Sequence, residues 1–283
     1  MPCDILYKSK EVFTIRFTKR YMILLVGLVL LIAIIPLQHY DNYGDDDIHS
    51  LELISHDTTE SLVASEISQG DLDIMTDRYT PVRVTGVTNV QALAAGDYHN
   101  LVLKENGTVF AWGHNEHGQL GDGTTTDRLI PVQVLGLADV QVVAAGSYHS
   151  LAVKKDGTVW EWGLHVKIDG TTTNRVTPEQ VPDLTDVQAV SAGYAHNLAL
   201  KSDGSVWTWG TNRYGQLGDG TNEERLKPVQ VKGLTGVQAI DSGSMHNLAL
   251  THEGTLWAWG WNWYGQLGDG TNDDRNTPRA GGV

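Results

Sequence analysis

The stretch VQAVSAGYAHNLALKSDGSVWTWG, Val187–Gly210, breaks into three short apolar runs with glycines at Gly193, Gly204 and Gly210. Runs of this length bounded by glycine read as strands, since helices need longer periodic segments. The pair Asp203-Gly204 stands between the second and third runs. A two-residue link with Gly second matches a type I′ hairpin turn, where positive φ is needed and glycine supplies it without a Cβ clash.

The stretch recurs. VQALAAGDYHNLVLKENGTVFAWG begins at Val90, VQVVAAGSYHSLAVKKDGTVWEWG at Val140 and VQAIDSGSMHNLALTHEGTLWAWG at Val237. Their histidines, His99, His149, His196 and His246, are spaced by 50, 47 and 50 residues. Each unit runs on through a glycine-rich stretch to a proline, at Pro131, Pro178, Pro228 and Pro278, and Pro81 opens the series. With a strand at each proline, every unit holds four short strands. Segments such as Val109–Trp112 and Leu101–Leu103 are apolar on both faces, which suits a sheet covered on both sides. Four-stranded sheets stacked on their own kind are the blades of a β-propeller, and a repeat near 50 residues fits blades better than a linear solenoid.

These residues carry a resemblance. The pattern G-x-x-H-x-x-A-L-x-x-D-G-x-V-x-x-W-G-x-N-x-x-G-Q-L-G is similar to the repeat of the regulator of chromosome condensation family, over residues 79–283. The resemblance implies an all-β propeller, typically of seven blades, whereas this sequence holds four full units. The expected blades are 81–130, 131–177, 178–227 and 228–277, with a stub at 278–283. An arc of four blades leaves one apolar face bare at each end, more than monomers normally expose. A four-bladed ring, self-association through open blade edges, and an open or truncated arc are the alternatives, and the open or truncated arc is the preferred expectation.

Ahead of the repeats lie three segments. Residues 1–20 are a basic tail, and the first 40 residues carry a net charge of +3. Residues 21–37, YMILLVGLVLLIAIIPL, hold no charge. At about 1.5 Å per residue, this is near the short limit for spanning a bilayer, and it has no polar face. Residues 38–78 form an acidic stalk, with eleven acidic residues and no Lys or Arg between Asp41 and Asp77. Positive charge before the apolar segment and negative charge after it predict a signal anchor with the N-terminus cytoplasmic and the propeller extracytoplasmic, with a cleaved signal peptide as the alternative reading of the segment. The whole chain carries -14, which disfavours nucleic acid as a partner. One cysteine, Cys3, excludes an intrachain disulfide.

Four features invite a chemical reading. GQLGDGT occurs at Gly118–Thr124, Gly215–Thr221 and Gly265–Thr271. It lacks the Lys and Ser or Thr of a phosphate loop and the alternating oxygens of a calcium loop, so it reads as a structural loop with Leu120, Leu217 and Leu267 as plugs. After Trp162 the corresponding text is WGLHVKIDGT, three residues shorter. There Ile168 is expected to act as the plug, and the loop is expected to be the least regular of the four. The four histidines read as packed side chains bonded to backbone. Trp112, Trp162, Trp209 and Trp259 read as blade core, as do Phe110, Trp160, Trp207 and Trp257. Asn106-Gly107-Thr108 is a glycosylation sequon that coincides with a hairpin turn. Residues that recur in every unit are scaffold, so no catalytic residue, cofactor or metal is assigned.

If the strands run up and down, the short loop after the first strand and the long loop after Trp-Gly share one end. Side chains that vary between units gather there: Tyr98, Tyr148 and Tyr194 in the short loops, and His114, Glu116, Arg213, Tyr214, Trp261, Trp263 and Tyr264 in the long ones. Aromatic and Arg side chains on loops over a rigid scaffold suit a protein-binding face. The expected function is a membrane-anchored, non-enzymatic binding or scaffold module for an unknown protein or cell-surface ligand. The resemblance also implies an alternative, guanine-nucleotide exchange linked to chromatin, which the apolar segment, the acidic charge and the blade number disfavour. An enzyme on a propeller scaffold is a further alternative.

Overall fold

The computed structural model describes residues 79–166 and 171–280, plus three short strands nearer the N-terminus. It falls into two units, Met1–Asp77 and Arg78–Val283. In the first, β1 (Ile5–Lys8) pairs antiparallel with β2 (Val12–Ile15), and β2 pairs with β3 (Leu51–Glu52). The expected membrane segment 21–37 and most of the acidic stalk lie outside the described residues. Among the described residues no helix is long and apolar enough to cross a membrane.

The second unit is four antiparallel sheets of four strands, each paired in chain order. The first contains β4 (Val90–Ala95), β5 (His99–Lys104), β6 (Val109–Gly113) and β7 (Arg128–Gln133). The second contains β8 (Val140–Ala145), β9 (His149–Lys154), β10 (Val159–Val166) and β11 (Thr172–Gln180). The third contains β12 (Val187–Ala192), β13 (His196–Lys201), β14 (Val206–Gly210) and β15 (Arg225–Gln230). The fourth contains β16 (Val237–Ser242), β17 (His246–Thr251), β18 (Leu256–Gly260) and β19 (Arg275–Ala280). Pairing places each repeated proline inside the outermost strand of the preceding sheet. The cuts at 131, 178 and 228 therefore move downstream, and residues 278–280 complete the fourth blade instead of starting a fifth. Proline suits that strand because an outer strand has one edge without a partner, where a missing N–H costs no ladder bond.

Two local expectations change. The hairpin between β5 and β6 is not type I′: Gly107 has φ 77° while Asn106 is not in the positive-φ region, and Gly107 N–H donates to Lys104 O at 2.9 Å. This is a type I turn followed by a left-handed glycine, the three-residue hairpin. The Asn106 side-chain oxygen accepts from Thr108 N–H (3.2 Å) and Oγ1–H (2.7 Å). Asp156 with Thr158 and Asp203 with Ser205 repeat the motif, which is why Asn or Asp precedes Gly and Thr or Ser follows. The second change is after Trp162, where the flanking strands extend into the stretch expected to be an irregular loop; residues 167–170 at its tip lie outside the described residues. β10 and β11 have 8 and 9 residues, against 5 and 6 in the third blade. Loss of the compact Gly-Gln-Leu-Gly turn lets the two strands continue pairing from Gly163↔Arg175 out to Val166↔Thr172. Ile168 lies outside the described residues.

The core lies between blades. Leu101, Leu103, Val109 and Leu120 of the first blade pack with Val140, Val143 and Trp162 of the second. The second and third blades join through Leu151, Val153, Val159, Val190 and Trp209, and the third and fourth through Leu198, Leu200, Val206 and Trp259. Trp162, Trp209 and Trp259 are fully buried, as expected, whereas Trp112 in the first blade is only partly buried. The second aromatic position is only half-buried. Lys104, Lys154 and Lys201 cover Phe110, Trp160 and Trp207 there, at 5.3, 3.9 and 5.8 Å from the ring centroids.

Candidate functional site

GQLGDGT closes on itself. Asn115 anchors the first copy: its amide N–H groups donate to Thr124 O (3.2 Å) and Thr126 O (3.0 Å), and its Oδ1 accepts from Leu120 N–H (3.0 Å). Asp122 accepts from Thr124 and from Arg128 Nε (2.7 Å). Burial pushes the Asp122 carboxyl up, but the bonds from Thr124 and Arg128 outweigh it and leave the pKa lowered. In the last copy, Thr271 and Arg275 hold Asp269 at about 2. Each carboxylate is thus committed to its own loop. The leucine plugs Leu120, Leu217 and Leu267 are buried.

Three of the four histidines, His99, His149 and His196, bond to the neighbouring blade, not to backbone. His196 Nε2 meets Asn247 Oδ1 at 2.7 Å, and Asn247 Nδ2 donates to Gln216 O at 2.7 Å. A carbonyl can only accept, so the amide orientation is set and His196 donates through Nε2–H. Gln216 O also accepts from Trp259 Nε1–H at 2.9 Å. Between the first two blades the same parts are His99, Ser150, Gln119 O and Trp162. Between the second and third, His149 meets Asn197 at 2.6 Å, but Gly-Gln-Leu-Gly is missing. There the Glu161 carboxylate stands in for the glutamine carbonyl. It accepts from Asn197 Nδ2 (3.1 Å), Trp209 Nε1 (3.4 Å) and Arg175 Nη1 (3.2 Å). Burial lowers the pKa of all three joint histidines, His99 to about 3 and His196 to about 4, so they are neutral struts.

The variable side chains do gather at one end. The residue after each Trp-Gly donates its N–H to the short loop: His114 to Tyr98 O, Leu164 to Tyr148 O, Thr211 to Ala195 O and Trp261 to Met245 O. They form two patches. In the first, Tyr148 is the hub. It stacks on Tyr98 with centroids 5.3 Å apart, and meets His117 at 5.2 Å, Tyr194 at 5.9 Å and His114 at 6.2 Å edge-on. A hydrogen bond with Tyr98 is the main reason the Tyr148 pKa is raised. Gln119 Nε2 donates to His114 Nδ1 at 2.9 Å, because its Oε1 already accepts from His117 N–H. The remaining His114 Nε2 is 3.6 Å from Glu116. In the second patch Trp261 sits between Tyr214 (5.9 Å) and Tyr264 (5.5 Å).

Trp263 joins neither ring cluster among the described residues and is 70% exposed; Arg213 is exposed and likewise apart. The sequence reading missed His117. It occupies the same place after Asn115 as Tyr214 does after Asn212 and Tyr264 after Asn262, so the repeat register was the signal. Chemically, both patches offer ring faces and hydroxyl, indole and imidazole tips on rigid turns, a surface suited to binding.

Sheets in chain order, joints built on one residue set and the Asn-anchored loop together specify a family, and the model of the RCC1-like domain matches residues 57–281. The chain belongs to the RCC1-like domain family. That match begins inside the acidic segment, upstream of the first blade. This RCC1-like chain is similar to Prp20p of Saccharomyces cerevisiae at 26% identity, with a TM-score of 0.64 over 72% of this chain and 53% of that one. Human WBSCR16 is 29% identical, with a TM-score of 0.62 over 69% and 53%. Protein pim1 of Schizosaccharomyces pombe is 32% identical over 81 residues, 29% of this chain and 14% of its own length. The RCC1-like chain thus spans about half the length of these solved structures.

Proposed function

We propose that this RCC1-like arc is a non-enzymatic protein-binding module, anchored in a membrane through residues 21–37 and displayed on the extracytoplasmic side. The observation that carries the binding reading is the pair of aromatic patches at one end of the blades. Tyr98, Tyr194 and Tyr264 are 55%, 41% and 79% exposed, on turns whose backbones are hydrogen-bonded to the scaffold. Aromatic groups presented this way lose little conformational entropy on binding. The membrane reading rests on the uncharged run and its flanking charges.

Replacing Tyr214, Trp263 and Tyr264 together with alanine is expected to abolish capture of the partners that the intact chain retains, while circular dichroism stays unchanged. Retention of the same partners removes this face as the binding site. Protease protection of the blades in intact cells tests the topology, and digestion only after lysis is the wrong result for an extracytoplasmic arc.

One observation favours a second reading. The similar Prp20p is described by its binding to Gsp1p and histones, and by its complex with Kap60. A cytoplasmic or nuclear arc would make GTPase exchange linked to chromatin the better proposal.

A further inference from the structure

The turn between β5 and β6 spells Asn106-Gly107-Thr108, and no other asparagine of the chain is followed two residues on by Ser or Thr. The counterpart turns have Asp156, Asp203 and Glu253 in its place. The turn itself does not require an asparagine. Asp156 makes the same two bonds through a carboxylate oxygen, from Thr158 N–H (3.0 Å) and Oγ1–H (2.7 Å), and Asp203 makes them from Ser205 N–H (2.9 Å) and Oγ–H (2.6 Å). What asparagine adds is a nitrogen. Thr108 N–H can only donate, so the atom facing it is Oδ1 and the amide orientation is set. Nδ2 is the remaining amide atom, and among the described residues it has no partner.

Asn106 is exposed, and this exposure belongs to the tip of the hairpin, not to the ends of the arc. Asp156 and Asp203 are exposed as well, although their blades have a neighbour on each side. Gly107 does the packing. It is buried, and a Cβ there would meet the backbone of Asp139, on the connection into the next blade, at 3.1 Å. β5 runs from the short loop that carries Tyr98 to this turn, so Asn106 lies at the opposite end of the blade from the aromatic patches.

We propose that Asn106 is a glycosylation site that carries an N-linked oligosaccharide on Nδ2. Asn-x-Thr is the acceptor sequence for this modification on chains that enter a secretory compartment. The proposal therefore rests on the extracytoplasmic placement of the blades proposed above. In the transfer, Nδ2 forms a bond to the anomeric carbon of a lipid-pyrophosphate-linked oligosaccharide. The bond from that carbon to the pyrophosphate oxygen breaks, one amide proton is lost and the lipid pyrophosphate leaves. The modified amide keeps its carbonyl, so Oδ1 still accepts from Thr108 and the turn loses no hydrogen bond. The aspartate turns, with two oxygens, offer no such nitrogen. A glycan at the hairpin end leaves the aromatic patches of the loop end uncovered.

The test uses the full chain produced in a eukaryotic cell and recovered from its membranes. Treatment with peptide N-glycosidase is expected to remove the mass of one oligosaccharide and to leave an aspartate at position 106, read by peptide mass spectrometry. Asn106→Asp and Thr108→Ala should both abolish that mass loss, and Thr108→Ser should keep it. Asn106→Asp copies Asp156 and Asp203 and so keeps the turn, which separates loss of the sugar from loss of the fold. Asp156→Asn writes Asn-Gly-Thr into the second blade and should add a second oligosaccharide. Protease protection of the same cells reports which side the blades occupy. An unmodified chain with extracytoplasmic blades, or sugar gained only with Asp156→Asn, overturns this proposal and leaves the topology standing. An unmodified chain with cytoplasmic blades overturns both.

Discussion

Glu161 stands where Ala111, Thr208 and Ala258 stand in the other blades. A buried carboxylate is costly unless it is paired and hydrogen-bonded, and here it has two donors from the next blade and an arginine. Arg175, whose counterparts Arg128, Arg225 and Arg275 hold the aspartate of GQLGDGT, reaches Glu161 and Glu179. Glu161→Ala should cost about 2–4 kcal/mol in urea unfolding, and Glu161→Gln about half of that, since one acceptor oxygen remains. The buried histidines make a separate prediction. They are lowered from 6.5 in the folded chain, so the unfolded chain binds more protons between that value and their folded ones. Stability should be level above about pH 7. It should then fall as pH drops from 6.5 toward 4, by up to about 1.4 kcal/mol per unit for each histidine. Unfolding midpoints measured across this range check it, and His196→Asn should reduce the slope. Lowered Asp122 and Asp219 add their loss only below 3.8, which keeps the two effects apart.

At the scale of the element, the glycines of GQLGDGT have two separable reasons. Gly121, Gly218 and Gly268 all have φ 65°, a conformation strained for any residue with a Cβ. Only Gly121 and Gly218 also lie against a tryptophan of the next blade within the chain. Gly121→Ala should therefore cost about 2–4 kcal/mol of chain stability, and Gly268→Ala about 1 kcal/mol, the backbone share alone. Thermal unfolding of the two variants at low concentration measures the difference, and equal costs would remove the tryptophan from the account. The repeated strands and the structural role of this loop were legible in the sequence because both are local patterns. The turn type was not, since Asp-Gly suits both the two-residue and the three-residue hairpin, and side-chain bonds from Asn106, Asp156 and Asp203 select the latter. Extension of β10 and β11 was also hidden, because deletion of three residues reads as damage until the strands are seen to pair through it.

At the scale of the molecule, the arc is a one-dimensional stack in which each blade is held by its neighbours. β9 and β13 are buried on both faces, whereas every second residue of β17 keeps some exposure and β4 is mostly exposed. In dilute solution, hydrogen exchange should be slowest for β9 and β13 and fastest for β4, and uniform protection along the arc would contradict this order. The sequence by itself determined the strand pattern, the four units and the end of the blades where variable side chains collect. These follow from periodicity, glycine placement and strand alternation, all of which act over a few residues. Tertiary structure decided which groups meet between blades: His to Asn across about 50 residues, Glu161 in the role of a missing carbonyl, and aromatic side chains in two patches rather than one. Those contacts depend on the twist and spacing of stacked sheets, which residues far apart in the chain set together and no local pattern records.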